Sequence, residues 1–199
     1  MVRRHQAAVA ARPCVLVLRI AVDESSVRLV KGIRRYADAV GWTLLRLDYR
    51  DILGGLVDQW RPVGLLADAG LSVETLSEVP GLNGIPIVFC DSSPDAVGAG
   101  QAPSAYVSSD AEAVAGAAFD ELVRQGLGHF AYVPFVADPC RAWSVGRGDV
   151  FARRAQAHGA TFSRFAVPAT TAAQRMRALR TWLTALPRPC GVFAANDVV

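Results

Sequence analysis

The stretch "SAYVSSDAEAVAGAAFDELVRQGLGHFAYVPF", residues 104–135, decides how the chain is organised. A short extended piece, SAYVSSD, runs into an amphipathic helix and then into an apolar run. The helix is predicted over 111–126, with Val114, Ala117, Ala118, Leu122 and Val123 facing inward and Gly126 as its stop. HFAYVPF, 129–135, reads as a strand. One strand–helix alternation ends before this helix and a second begins with it, so two α/β halves meet near residues 105–111.

Upstream, CVLVLRIAV (14–22), WTLLRLDY (42–49), PVGLLAD (62–68) and IPIVFCD (85–91) read as strands. Between them lie helices predicted over 25–41, 52–60 and 72–83. Ser25 and Ser26 can cap the first of these, Gly41 ends it, and Val27, Val30, Ile33, Ala37 and Val40 make one face. Downstream come a helix over 144–159, a strand over 162–168, a helix over 171–187 and a strand over 190–197. Met176, Leu179, Trp182, Leu183 and Leu186 form the inward face of the last helix. This rhythm predicts an α/β fold of doubly wound parallel sheets.

With 199 residues, 52% of them hydrophobic and 20% charged, the composition suits a soluble globular chain able to bury a core. The net charge of +3 comes from scattered residues and makes no basic groove for nucleic acid. The first residues start basic and turn apolar, but Arg12 and Arg19 interrupt the apolar run. Residues 1–12 therefore read as a loose arm before a strand, not as an export signal, and no apolar run is long enough to span a membrane. Cys14, Cys90, Cys140 and Cys190 are far apart, which suggests neither a metal site nor a disulfide framework. Cys14, Cys90 and Cys190 sit in apolar runs, which reads as small buried apolar side chains in a reducing compartment. His5, His129 and His158 fall in the arm, at a strand start and at a helix end, as surface or structural residues.

Ligands of open parallel sheets bind beyond the carboxyl ends of the strands. Those ends here carry carboxylates, arginine, asparagine and a tryptophan, with no GxSxG, GxGxxG or GxxxxGK[ST] motif. Such a set suits a sugar or polyol. Carboxylates accept hydrogen bonds from hydroxyls, arginine donates two parallel bonds, an indole covers the C–H face of a pyranose, and Asn196 both donates and accepts. Bland readings stand beside these. Trp143 can be core, Arg147 can be a solvated residue or pair with Asp149 or Asp120, and Asp68 and Asp197 can cap the elements after them.

Several segments resemble the periplasmic-binding-protein-like effector domains of LacI/GalR-type bacterial regulators. They are RLVKGIRRYA, GLLAD, IPIVFCD, the crossover YVSSDAEAVAGAAFDELVRQGLGHFAYV, and CGVFAANDVV. RAWSVGRGDVF (141–151) resembles the RW(S/A)xxRxxxF pattern of the xylose-regulator branch, whose members carry an AraC-type DNA-binding domain after the sensor. The resemblance implies two Rossmann-like lobes, 13–107 and 108–199, with a sugar cleft between them. The chain is shorter than the family's domain and so reads as incomplete at its C-terminus, the operator-binding domain being absent. By the same resemblance Arg147 clasps the effector beside Trp143, Asp68 faces it from the first lobe, and Asp197 and Asn196 face it from the second. Arg141 is a rim candidate, and Asp23 and Ser26 belong to a first loop that matches less closely. The implied protein is a cytoplasmic, homodimeric, sugar-responsive regulator without cofactor, metal, membrane contact or catalysis, its effector D-xylose or a related monosaccharide. An exported sugar-binding protein of a transport system and an α/β enzyme acting on a sugar are the alternatives.

Overall fold

Short apolar runs become parallel strands throughout. The computed structural model describes residues 12–18, 24–47, 56–68, 76, 79, 81–82, 84–91, 104–137 and 141–196. The chain divides into two compact units. One comprises Met1–Cys90 and Val97–Val107, and the other Asp91–Ala96 and Ser108–Val199.

The first unit holds five parallel strands in the order β2-β1-β3-β4-β5: β1 Cys14–Leu18, β2 Thr43–Leu47, β3 Gly64–Asp68, β4 Ile87–Cys90 and β5 Ser104–Val107. All five residues of β1, CVLVL, are buried. An unbroken apolar run is what a central parallel strand covered on both faces requires. Helices α1, Glu24–Val40, and α2, Leu56–Trp60, belong to this unit. Its core gathers Leu16, Leu18, Leu65 and Phe89, with Leu76, Val79 and Leu82 from the segment predicted as a helix over 72–83.

Helix α1 starts at Glu24, so Ser25 and Ser26 lie inside its first turn and not ahead of it. Of its predicted face only Ala37 is buried, while Val27 and Val40 remain 41% and 45% exposed. The helix is seated through Ala37, and the ends of its apolar stripe stay uncovered. Gly41 ends it with φ 76, a left-handed conformation that glycine adopts without steric cost.

The second unit has three parallel strands in the order β7-β6-β8: β6 His129–Val133, β7 Thr161–Arg164 and β8 Gly191–Ala194. Helices α3 Ala111–Arg124, α4 Ala142–Ala157 and α5 Ala172–Ala185 alternate with them. Asp110 caps α3 by accepting the Ala113 N–H at 3.0 Å. Thr171 and Gln174 form a reciprocal capping box at the start of α5.

The core of this unit is aromatic. Phe151 is fully buried and packs against Phe119, Phe130, Phe162 and Phe193. Phe119 shifts α3 from part of its predicted face: Ala118, Leu122 and Val123 pack against the core as expected and Ala115, Gly116 and Phe119 are buried, but Val114 is 37% exposed and Ala117 is also exposed. Seating the largest apolar ring of the helix outweighs the burial of two smaller side chains. On α5, Leu179 is buried and Trp182 packs on Phe165 at 5.3 Å, whereas Met176 and Leu183 are exposed. β7 ends at Arg164, short of the predicted 168. The Phe165 N–H still donates to the Tyr132 carbonyl, and Pro168 has no N–H to extend a ladder.

Candidate functional site

The second unit concentrates the described candidate residues around the start of α4. That helix begins at Ala142, two residues earlier than its sequence pattern suggests. Trp143 therefore sits in its first turn, and Arg147, four residues on, lies on the same face. The guanidinium carbon of Arg147 is 4.8 Å from the centroid of the Trp143 ring. This is a cation–π contact, and Phe135, just past the end of β6, flanks the indole at 5.5 Å with a 35° tilt.

Arg147 reaches from the helix to two other elements. Nη1 donates to the carbonyl of Ala195, immediately after β8, at 2.6 Å. Nη2 donates to Ser109 Oγ, in the segment between β5 and α3, at 2.9 Å. Its Nε is buried without a partner among the described residues. A guanidinium has five N–H donors, so further acceptors can be served by the same fork. The ion pairs considered for Arg147 go to other arginines: Asp149 binds Arg164 at 2.6 Å, and Asp120 binds Arg154 at 3.5 Å.

Trp143 is half-buried against the second core, and its ring also carries the Arg147 guanidinium. Asn196 is half-buried and follows Ala195, whose carbonyl anchors Arg147 and whose N–H donates to the Val133 carbonyl at 2.8 Å. Arg141 occupies the N-cap position of α4 and makes no side-chain capping bond there. A cation at a helix start opposes the helix dipole, so local helix stability does not explain its presence.

The first-unit candidates are only partly described. Asp68 ends β3, its backbone paired in register with Cys90, and its side chain lies outside the described residues. The same holds for the side chain of Ser26 in α1, while Asp23, and Asp197 of the second unit, lie outside the described residues altogether. Asp91, just after β4 but grouped with the second unit, has a left-handed backbone with φ 55, which aspartate tolerates better than most residues. Sequence reasoning gave no role to Ser109, Phe135 or Ser144. The first two come just after strands, the position that the parallel-sheet rule singles out. Nothing in the sequence sets Ser144 apart from other serines.

Burial pushes the thiols of Cys14 and Cys190 above their ordinary range. Among the described residues no group of three or more His, Cys, Asp or Glu could hold a metal ion. No helix among them is long and apolar enough to cross a membrane.

No family model and no curated protein matches the chain. Solved structures do. The xylose-binding transcription activator xylR superposes with a TM-score of 0.66 at 20% identity, over 93% of this chain and 47% of that one. A LacI family transcriptional regulator from Arthrobacter sp. FB24, in complex with lactose, gives 0.65 at 22% identity, over 94% and 67%. The lac repressor dimer bound to operator and an anti-inducer gives 0.67 at 15% identity, over 96% and 68%. The fold is LacI-type and periplasmic-binding-protein-like. Within this LacI-type fold, Arg147 and Trp143 stand at the carboxyl ends of β6 and β8, where parallel sheets receive ligands.

Proposed function

We propose that this chain is the sugar-sensing domain of a bacterial transcriptional regulator, with D-xylose or a related monosaccharide as its effector. The observation that carries the reading is the Arg147 fork, held on Trp143 and reaching the end of β8 in a LacI-type fold. Vicinal hydroxyls of a sugar offer the adjacent oxygens that a planar fork engages. The likeness to regulators supports the same reading, since one of them is a xylose-binding activator and another is in complex with lactose. Arg147, Trp143, Asn196 and Arg141 are the proposed contacts from the second unit. Asp68, Asp197, Asp23 and Ser26 are proposed alongside them. In this account the protein acts in the cytoplasm as a homodimer and binds operator DNA through a separate AraC-type domain, without catalysis.

A sugar-binding protein of a transport system is the second reading, favoured by the likeness to GanP, a glucose-galactose binding protein from Geobacillus stearothermophilus, with a TM-score of 0.60 at 18% identity. A thermal-shift screen against aldopentoses and aldohexoses tests the sugar-binding core that both readings share. The expected result is a concentration-dependent rise in melting temperature with one sugar that is recovered unchanged by mass spectrometry. Consumption of the sugar would replace the sensor reading with an enzyme. Specific retention of an operator fragment by the full-length regulator, relieved or strengthened by that sugar, separates the regulator from the transport protein.

A further inference from the structure

Ser144 has no accessible surface and is the single buried residue of the polar and charged classes among the described residues. Burying a hydroxyl is costly unless its bonds are made, and here they are. Its Oγ accepts the Phe135 N–H at 2.9 Å and lies 3.3 Å from the Tyr132 hydroxyl. That hydroxyl, itself on a buried tyrosine, donates to the Ser144 carbonyl at 2.6 Å.

The consequence is a clip. Phe135 leaves β6 and Ser144 lies in the first turn of α4, so the clip ties the strand exit to the helix start. Phe135 and Trp143, the neighbour of Ser144, are the two rings of the tilted pair. Arg147 lies one turn beyond Ser144 on the same helix, over the indole. The close approach of Tyr132 depends on Gly148, where a Cβ would come within 2.5 Å of the Tyr132 ring. Strand, ring pair and arginine are thus referred to one buried hydroxyl.

We propose that Ser144 is the positioning residue of the sugar clamp. It touches no ligand and sets the relative placement of Phe135, Trp143 and Arg147. The inference rests on the proposed function for its ligand but not for its geometry, and the test separates the two. Full-length chain labelled with 5-fluorotryptophan gives a fluorine resonance for each of its four tryptophans, that of Trp143 being assigned by Trp143→Phe. In Ser144→Ala the Trp143 resonance shifts or broadens while the other three hold their positions and the melt stays cooperative. Affinity for the sugar found in the thermal screen falls about tenfold or more, the range seen when an outer-shell partner is lost at a metal site. If Ser144→Ala does not fold, Ser144→Cys, with similar volume and a weaker acceptor, takes its place. An unmoved Trp143 resonance, or an affinity within twofold of wild type, overturns the proposal. If the wild-type chain binds no sugar, the proposed function fails, and the resonance alone decides whether Ser144 positions the indole.

Discussion

Arg147 lies over the ring of Trp143 at 4.8 Å and at the same time bonds the Ala195 carbonyl at 2.6 Å. The helix, the end of β8 and, through Ser109, the segment entering α3 are joined by one guanidinium. Lysine keeps the charge but has neither the plane nor the fork. Arg147→Lys should therefore lower the unfolding free energy by about 1–3 kcal/mol, the cost of a lost charge-assisted bond. Urea unfolding followed by circular dichroism measures it. An unchanged midpoint would contradict the double anchorage.

Tyr132 makes stability pH-dependent on the alkaline side. Burial raises the affinity of its phenol for its proton, outweighing the Ser144 hydrogen bond and the nearby Arg147 and Arg164 charges. The folded state then keeps a proton that the unfolded chain releases near pH 10, so stability falls as pH rises above that ordinary value. Melting temperatures of the wild type should drop across that window. Tyr132→Phe should show a shallower alkaline slope and a lower neutral-pH stability. Parallel slopes for the two proteins would refute the assignment.

Two glycines of α4 should respond oppositely to alanine. A Cβ at Gly148 meets Tyr132 Cε1 at 2.5 Å, and overpacking of this kind costs about 1–3 kcal/mol, more than the helix-propensity gain of about 1 kcal/mol. A Cβ at Gly146 meets nothing closer than the Ala111 Cβ at 3.5 Å, so Gly146→Ala should stabilise by about 0.5–1 kcal/mol. Thermal melts of the two variants decide. Matching signs would mean that Tyr132 does not lie against the helix as described.

The aromatic core makes Phe151 the most costly truncation in the second unit. Phe151→Ala removes a ring in contact with four others and should cost about 3–5 kcal/mol. Hydrogen exchange should report the loss in β6 and α3. A loss below about 1 kcal/mol would mean the core collapses into the cavity.

The strands were legible because parallel β-structure leaves unbroken apolar runs such as CVLVL and HFAYV. Helix facing was less legible. In α3 the pattern of small apolar residues fits more than one rotation, and only the partners of Phe119, which come from β6 and α4, select the real one. Within the site, Arg147 and Trp143 showed through their spacing and their place after a strand. Ser109 and the Ala195 carbonyl did not, because bonds spanning 38 and 48 residues leave no local trace. Ser144 was hidden for a different reason: its role comes from burial, and serines seldom reveal burial in a sequence.

The most direct test of the central claim is calorimetric titration of the full chain with the sugar picked out by the thermal screen, alongside Arg147→Ala. The account predicts one-site binding by the wild type and no measurable heat from a variant that keeps its circular dichroism spectrum. Equal affinity in the two proteins would contradict the assignment of Arg147 as the sugar clasp.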